Sequence, residues 1–210
     1  MASEVITPGE AKRRFGLELE KLASKFGLRS PRTMWLSRSV PDGEQVLKFG
    51  GNVRDGRLFL SATACVRFPA IQHVLGSGSD EEVPTILVPT HLLRDDRRFF
   101  EWELDLAAPD FSGIVADVAA EIELRVLPFF EMYCSVESVR DSLGSDDPDA
   151  WFSLSPVQRI SVLAAALAIE NRSEAATQLL SQKLDEGLPP RQAGKVQALL
   201  TRLKKLELGG

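Results

Sequence analysis

The chain has 210 residues, 44% of them hydrophobic and 26% charged; this is enough for one large domain or a domain with a smaller appendage, and it excludes a disordered, collagenous or disulfide-scaffold protein. Its 25 Lys and Arg against 30 Asp and Glu leave a net charge of -5, so no whole-surface attraction to nucleic acid or anionic lipid is expected, and such binding would need a local basic patch. The longest uncharged apolar stretch, residues 160–169, is far short of the roughly 20 residues that span a bilayer, and residues 1–15 carry Glu4 and Glu10 without the apolar segment of a secretory signal. A cytoplasmic chain is the expectation.

Thr7-Pro8-Gly9-Glu10 sets a hydroxyl at the N-cap, a proline at N1 and a carboxylate at N3, the capping-box arrangement that starts a helix. Phe15, Leu19, Leu22 and Phe26 follow as one apolar stripe, and Gly27 supplies the left-handed stop. From Thr33 to Phe68 the period changes to two. Met34, Leu36 and Val40 alternate with Trp35, Ser37 and Ser39; Pro41 to Glu44 is a turn; residues 46–54 form a second run; Asp55-Gly56 is a type I′ signal; and Leu58, Leu60, Ala62, Ala64, Val66 and Phe68 share one face. The pattern predicts a three-stranded antiparallel meander, with Gly50 and Gly51 marking a bulge, or a bend at a close neighbour.

Residues 70–97 read as an excursion from this sheet: a short helix over 70–75, a loop over 76–82 and a short apolar run, 85–88, cut off by Pro89. A fourth strand returns over 98–106, with Phe100, Trp102, Leu104 and Leu106 on one face and Phe99, Glu101, Glu103 and Asp105 on the other. Asp110 or Ser112 caps a second long helix carrying Val115, Val118, Ala119, Ile122, Val126, Phe129 and Phe130, which Pro128 should end or kink. A short helix over 135–143 precedes a linker at 144–149.

Beyond the linker the charge balance changes: residues 1–150 hold 17 basic and 25 acidic side chains, a balance of -8, while 151–210 hold 8 and 5, a balance of +3. Three helices fill this tail. Ser155-Pro156-Val157-Gln158 is a second capping box, with Val157, Ile160, Leu163 and Leu167 inward; Ser173 caps the next helix, which ends at Gly187; and Pro189-Pro190 precedes a third with Val196, Leu199, Leu200, Leu203 and Leu206 inward. The fold class predicted is α+β: an antiparallel four- to five-stranded meander with two long helices on one face over residues 1–145, then a C-terminal three-helix subdomain over 151–210.

The chemistry-bearing inventory is thin. Cys65 and Cys134 have no metal-ligand spacing and read as core thiols, Cys65 the more exposed if the meander has a wet side and Cys134 buried behind an aromatic helix end. His91 with Asp95 and Asp96 lacks a third strong ligand, and Gly76-Ser77-Gly78 lacks the third glycine of a dinucleotide loop and the lysine of a phosphate loop. No cofactor and no metal are therefore expected. Arg94, Arg97 and Arg98 cluster, but Asp95 and Asp96 between them cancel most of their field, which argues against nucleic acid. Glu101, Glu103 and Asp105 project together from one strand face as an acidic stripe, the candidate binding surface; pairing with Arg57, Arg67 or Lys48 across the sheet is the alternative role for them.

The order helix, antiparallel meander and long helix, with Trp102 in the last strand, Leu127-Pro128-Phe129-Phe130-Glu131 and Ser135-Val136-Glu137, resembles a group of bacterial domain-of-unknown-function families over about residues 8–143. Some members of that group resemble immunity proteins that neutralise the toxins of competing bacteria. The resemblance implies no catalytic residues. The expectation is thus a cytoplasmic, non-enzymatic interaction protein, an immunity-type inhibitor whose acidic surface meets a basic toxin. The alternative is a small ligand-binding or hydrolytic enzyme with a pocket between sheet and helices near Trp35, His91 and Arg94.

Overall fold

The computed structural model describes residues 5–76, 83–145 and 154–208. It is an α+β protein with a six-stranded sheet, ordered β1-β2-β3-β4-β5 with β6 also on β4. The chain divides into two compact units: one of residues 1–39, 44–65 and 87–131, the other of residues 40–43, 66–86 and 132–210.

In the first unit, helix α1 (Pro8–Ala23) starts as expected, Thr7 accepting the N–H of Glu10 at 3.2 Å. The reciprocal half of the capping box is missing because the Glu10 carboxylate is taken by Arg13 at 2.8 Å and Arg14 at 2.6 Å. Hydrogen bonds from Arg13, then Arg14, hold Glu10 down to about 2, so its contribution to α1 persists above the ordinary carboxylate range and is lost only as pH falls toward that value. Phe15, Leu19 and Leu22 are buried along the expected stripe, and Gly27 stands at φ 64 as the stop.

Strands β2 (Trp35–Val40), β3 (Gly43–Arg54) and β4 (Arg57–Arg67) form the meander. Asp55 at φ 49 and Gly56 at φ 73 supply the type I′ turn. Leu58, Leu60, Ala62 and Ala64 are all buried on the helix-facing side. Phe15 of α1 packs edge-on against Phe49 at 5.5 Å, Phe49 meets Trp102 at 6.1 Å, and Trp102 meets Phe100 at 5.2 Å. At Gly51 a Cβ would come within 3.2 Å of Leu58, Leu60 and Lys12, and Lys12 donates to its carbonyl at 2.9 Å; the glycine is needed for the close neighbour, and the strand runs on through it.

Three sheet expectations change. An edge strand β1 (Arg29–Arg32) pairs with β2; Pro31 and the lack of alternation hide it in the sequence, although an edge strand tolerates proline. The run after residue 85 belongs to the sheet as β5 (Ile86–Pro89), with Thr85 donating to Val66 at 2.8 Å. Strand β6 (Trp102–Asp105) is shorter than predicted, pairing only with residues 57–60 of β4. The rest of that edge is occupied, for β5 pairs there and Thr90 donates to the Ala62 carbonyl at 3.2 Å.

Asp110 caps α3 (Phe111–Glu121), which continues through a π-helical turn (Ile122–Val126) into α4 (Leu127–Met132). Pro128 therefore does not end the helix, which instead carries an irregular turn just before it. A proline removes one N–H and crowds the carbonyl four residues back; the widened turn, in which Leu127 donates to Ile122, absorbs that misfit just before it. Gln45 of β3 donates to the Phe130 carbonyl, and Arg38 of β2 lies 5.6 Å over the Phe130 ring. Helices α1 and α3–α4 thus cover one face of the sheet.

The second unit is built around α6 (Pro156–Ile169), which opens with the predicted capping box of Ser155 and Gln158. It packs against α2 (Pro69–Leu75), α5 (Val136–Gly144), α7 (Ser173–Asp185) and α8 (Pro190–Leu208). With neighbours on several sides the helix buries Val162, Ala164, Ala165 and Ala166 as well as Val157 and Leu167, and the predicted single stripe through Ile160 and Leu163 is only half-buried. Arg159 donates to the carbonyls of Leu143 and Ser145, and Arg140 of α5 pairs with Glu170 just past α6. Ser173 does not cap α7, whose N-cap is Arg172, and Leu206 is exposed. Most of the predicted 76–82 loop and 144–149 linker lies outside the described residues.

The compact units do not divide at residue 145, because α2 and α5 find their apolar partner in α6. A chain ending at Ser145 should therefore lose amide-exchange protection across residues 69–75 and 136–144, since Ile71, Val139 and Leu143, all fully buried, would face water; retained protection there would refute this account. Of the two expected core thiols, Cys65 is buried as expected, whereas Cys134 is exposed. A thiol reagent should label Cys134 rapidly in the folded protein and Cys65 only on unfolding.

Candidate functional site

Side chains alternate along β4, so Arg57, Phe59 and Ser61 leave the sheet on the side away from Leu58 and Leu60. Opposite them on β6, Asp105 faces Arg57 and Glu103 faces Phe59. Directly opposed residues share a face, and the acidic stripe accordingly lies on the outer side. This face is closed at one end, where Ser37, Val46 and Cys65 are fully buried. Around Phe59, Glu103 and Trp35 it is half-buried or exposed.

The three carboxylates have partners. Glu103 pairs with Arg57 and Glu101 with Arg54, both arginines more than half exposed. The Arg54 guanidinium also lies 3.9 Å from the centroid of Phe59. Asp105 accepts the N–H of Ala107 at 2.9 Å, a local turn. Arg57, one of the cations considered from sequence, pairs across the strands with Glu103. Lys48 lies instead over Trp35, its ammonium 4.1 Å from the ring centroid, and Arg32 stands 4.7 Å from the same centroid. The outer face thus carries two aromatic rings, each with a cation over it. No local pattern in the sequence marks Arg32 or Arg54; the tertiary pairing reveals them.

The structure does not bring Trp35 together with His91 and Arg94. Phe49 points to the helices, so its neighbour Lys48, stacked on Trp35, points away, and Trp35 lies on the outer face. His91 and Arg94 belong to the 3-10 turn Thr90–Leu93 and its cap, where His91 meets Phe99 edge-on at 5.4 Å and Arg94 lies 4.5 Å over Phe100. A concavity of about 350 Å³ lies elsewhere, lined by Arg14, Leu17, Glu18 and Phe111 among others. Among the described residues no group of three or more His, Cys, Asp and Glu could hold a metal ion, and no helix is long and apolar enough to cross a membrane.

One charged group escapes sequence reading. Glu121, at the end of α3, is 6% exposed. Its Oε2 meets Arg125 at 2.8 Å and Arg94 at 3.5 Å, while its buried Oε1 accepts no hydrogen bond among the described residues. The i,i+4 spacing of Glu121 and Arg125 is the only signal in the sequence, and it is common to any solvated helix. The carboxylate ties the 3-10 turn to the π-helical turn. Glu121→Ala should lower stability by about 1–3 kcal/mol, because two half-buried guanidiniums lose their counter-charge; a shift of the urea midpoint at constant slope measures it, and an unchanged midpoint would dismiss the tie. No protein-family model, curated protein or solved structure matches this chain.

Proposed function

We propose that this protein is a non-enzymatic protein-interaction module that uses the outer face of its sheet. The observation carrying this reading is the pairing of half-buried aromatics with cations: Trp35 beside Arg32 and Lys48, and Phe59 beneath Arg54, itself held by Glu101. Trp and Arg are the side chains most enriched at the energetic centres of protein interfaces. Held in place before binding, they lose little rotamer freedom on association.

The more specific form of the reading is a cytoplasmic immunity-type inhibitor of a basic bacterial toxin, supported by the resemblance in element order and by Glu101, Glu103 and Asp105 at one edge of the face. Because Glu101 and Glu103 are already paired, the partner's cations would join or exchange with Arg54 and Arg57. That arrangement favours steering and orientation over raw affinity.

The test compares the wild-type chain with Glu101→Gln, Glu103→Gln, Asp105→Asn, each used to recover partners from the native host. Two exposed ion pairs are together worth less than about 2 kcal/mol, so the triple variant should melt only slightly below wild type. It should bind the recovered partner with a slower, less salt-dependent association. An association rate equal to wild type at low and moderate salt would overturn the role of the acidic edge.

A further inference from the structure

The opposite edge of the same face has the opposite charge. Strands β1, β2 and β3 carry Arg29, Arg32, Arg38, Lys48 and Arg54 against a single carboxylate, Glu44, within a chain whose first 150 residues are net acidic. Arg38 turns to the helix side, over Phe130. Arg29, Arg32 and Lys48 turn outward, and a backbone irregularity brings Arg32 to the face of Arg29. In the pairing of β1 with β2, Arg29 opposes Ser37 and Arg32 opposes Trp35, with a register shift between them. Residues three apart in a regular strand leave on opposite faces. The shift restores Arg32 to the face of Arg29, since Ser37 and Trp35, two apart, share one. The turn that follows holds Met34 at φ 64, a left-handed conformation disfavoured for a non-glycine residue. Backbone in this region recurs where side-chain placement is functionally constrained.

The result is a cationic frame around an indole. Arg32 and Lys48 lie over Trp35, while Arg29, with a side chain 66% exposed, reaches Ser39 at 3.4 Å and Glu44 at 3.9 Å. We propose that this frame docks an acidic segment of a protein partner, its carboxylates accepting hydrogen bonds from Arg29, Arg32 and Lys48 and its apolar atoms resting on the edge of Trp35. The inference rests on the interaction-module reading and assigns the chemistry of one end of that surface. Charge complementarity selects an anionic partner. The indole selects a protein over a nucleic acid: a base binds aromatic side chains by stacking, and here two cations already lie over the ring. Recognition by side chains, with no added strand, follows from the edge itself, because Pro31 lacks an N–H and Arg29 and Arg32 flank it.

The experiment measures fluorescence anisotropy with the full chain and two labelled probes: a ten-residue Glu/Asp-rich peptide and a single-stranded oligonucleotide of equal charge, at low and moderate salt. The peptide should bind more tightly than the oligonucleotide and weaken with salt. Arg32→Gln and Lys48→Gln should each weaken it about tenfold, as loss of a charge-assisted hydrogen bond implies. Arg29→Gln, at a mostly exposed side chain, should weaken it too with an unchanged melt, which covers the case in which Arg32→Gln unfolds the hairpin. The change of Glu101, Glu103 and Asp105 to amides should leave peptide affinity undiminished. Absence of peptide binding, affinity unaltered by Arg29→Gln and Lys48→Gln, or tighter binding of the oligonucleotide would each overturn the proposal. A host partner lost by the amide triple variant but retained by Arg29→Gln and Lys48→Gln would overturn this inference while leaving the interaction module standing.

Discussion

The burial of one face of β4 is the constraint on which the first unit depends. Leu58, Leu60, Ala62 and Ala64 are 0–6% exposed, and the period of a strand is two, so a slip of one residue would drive Arg57, Phe59 and Ser61 under the helices and expose all four apolar side chains. That cost locks the hairpin with β3. Once it is locked, Phe49 must meet Phe15 and Trp102, and Lys48 must leave on the other side beside Trp35. The charged outer face is therefore a by-product of the core: its positions are dictated by the alternation, and its residue types are left open for function.

The second unit obeys a different constraint. Helix α6 has neighbours on several sides, and three consecutive alanines, Ala164 to Ala166, are completely buried. Small side chains let surrounding helices approach closely, at the expense of apolar area per residue. Polar ties supplement the packing: Arg159 satisfies the carbonyls of Leu143 and Ser145, Arg140 joins Glu170, and Arg202 donates to the Val74 carbonyl at 3.1 Å. Carbonyls near helix ends have no partner within their own helix, and here arginines from distant parts of the chain supply one.

Charge is sorted across the sheet in a way that net charge conceals. The chain is acidic overall, yet β1–β3 are strongly basic and the β6 edge is acidic. A face with both signs, arranged by strand order, is complementary to few partners and repels surfaces of the wrong polarity, which is how charged interfaces obtain specificity. The paired carboxylates keep the face from becoming a uniform field. Its distinctive features are then the two aromatic–cation groups and the order in which they occur.

Local signals in the sequence determined α1, the meander and its Asp55-Gly56 turn, the Asp110 and Ser155 caps, and the face on which Glu101, Glu103 and Asp105 lie, because caps, turns and alternation act over a few residues. Tertiary structure decided the rest. Residues 86–89 became a strand because the edge of β4 was available beside them, and β6 was shortened because that edge was then occupied. Pro128 stayed within a helix because the turn before it widened, and Cys65 was buried on a face that alternation alone would leave wet. The partners of Glu101, Glu103 and Glu121 lie as far as 47 residues away in the chain, and the grouping of Arg32 with Trp35 and Lys48 depends on a register shift. Such groupings are set by which strands and helices meet, and no local pattern of residues encodes that.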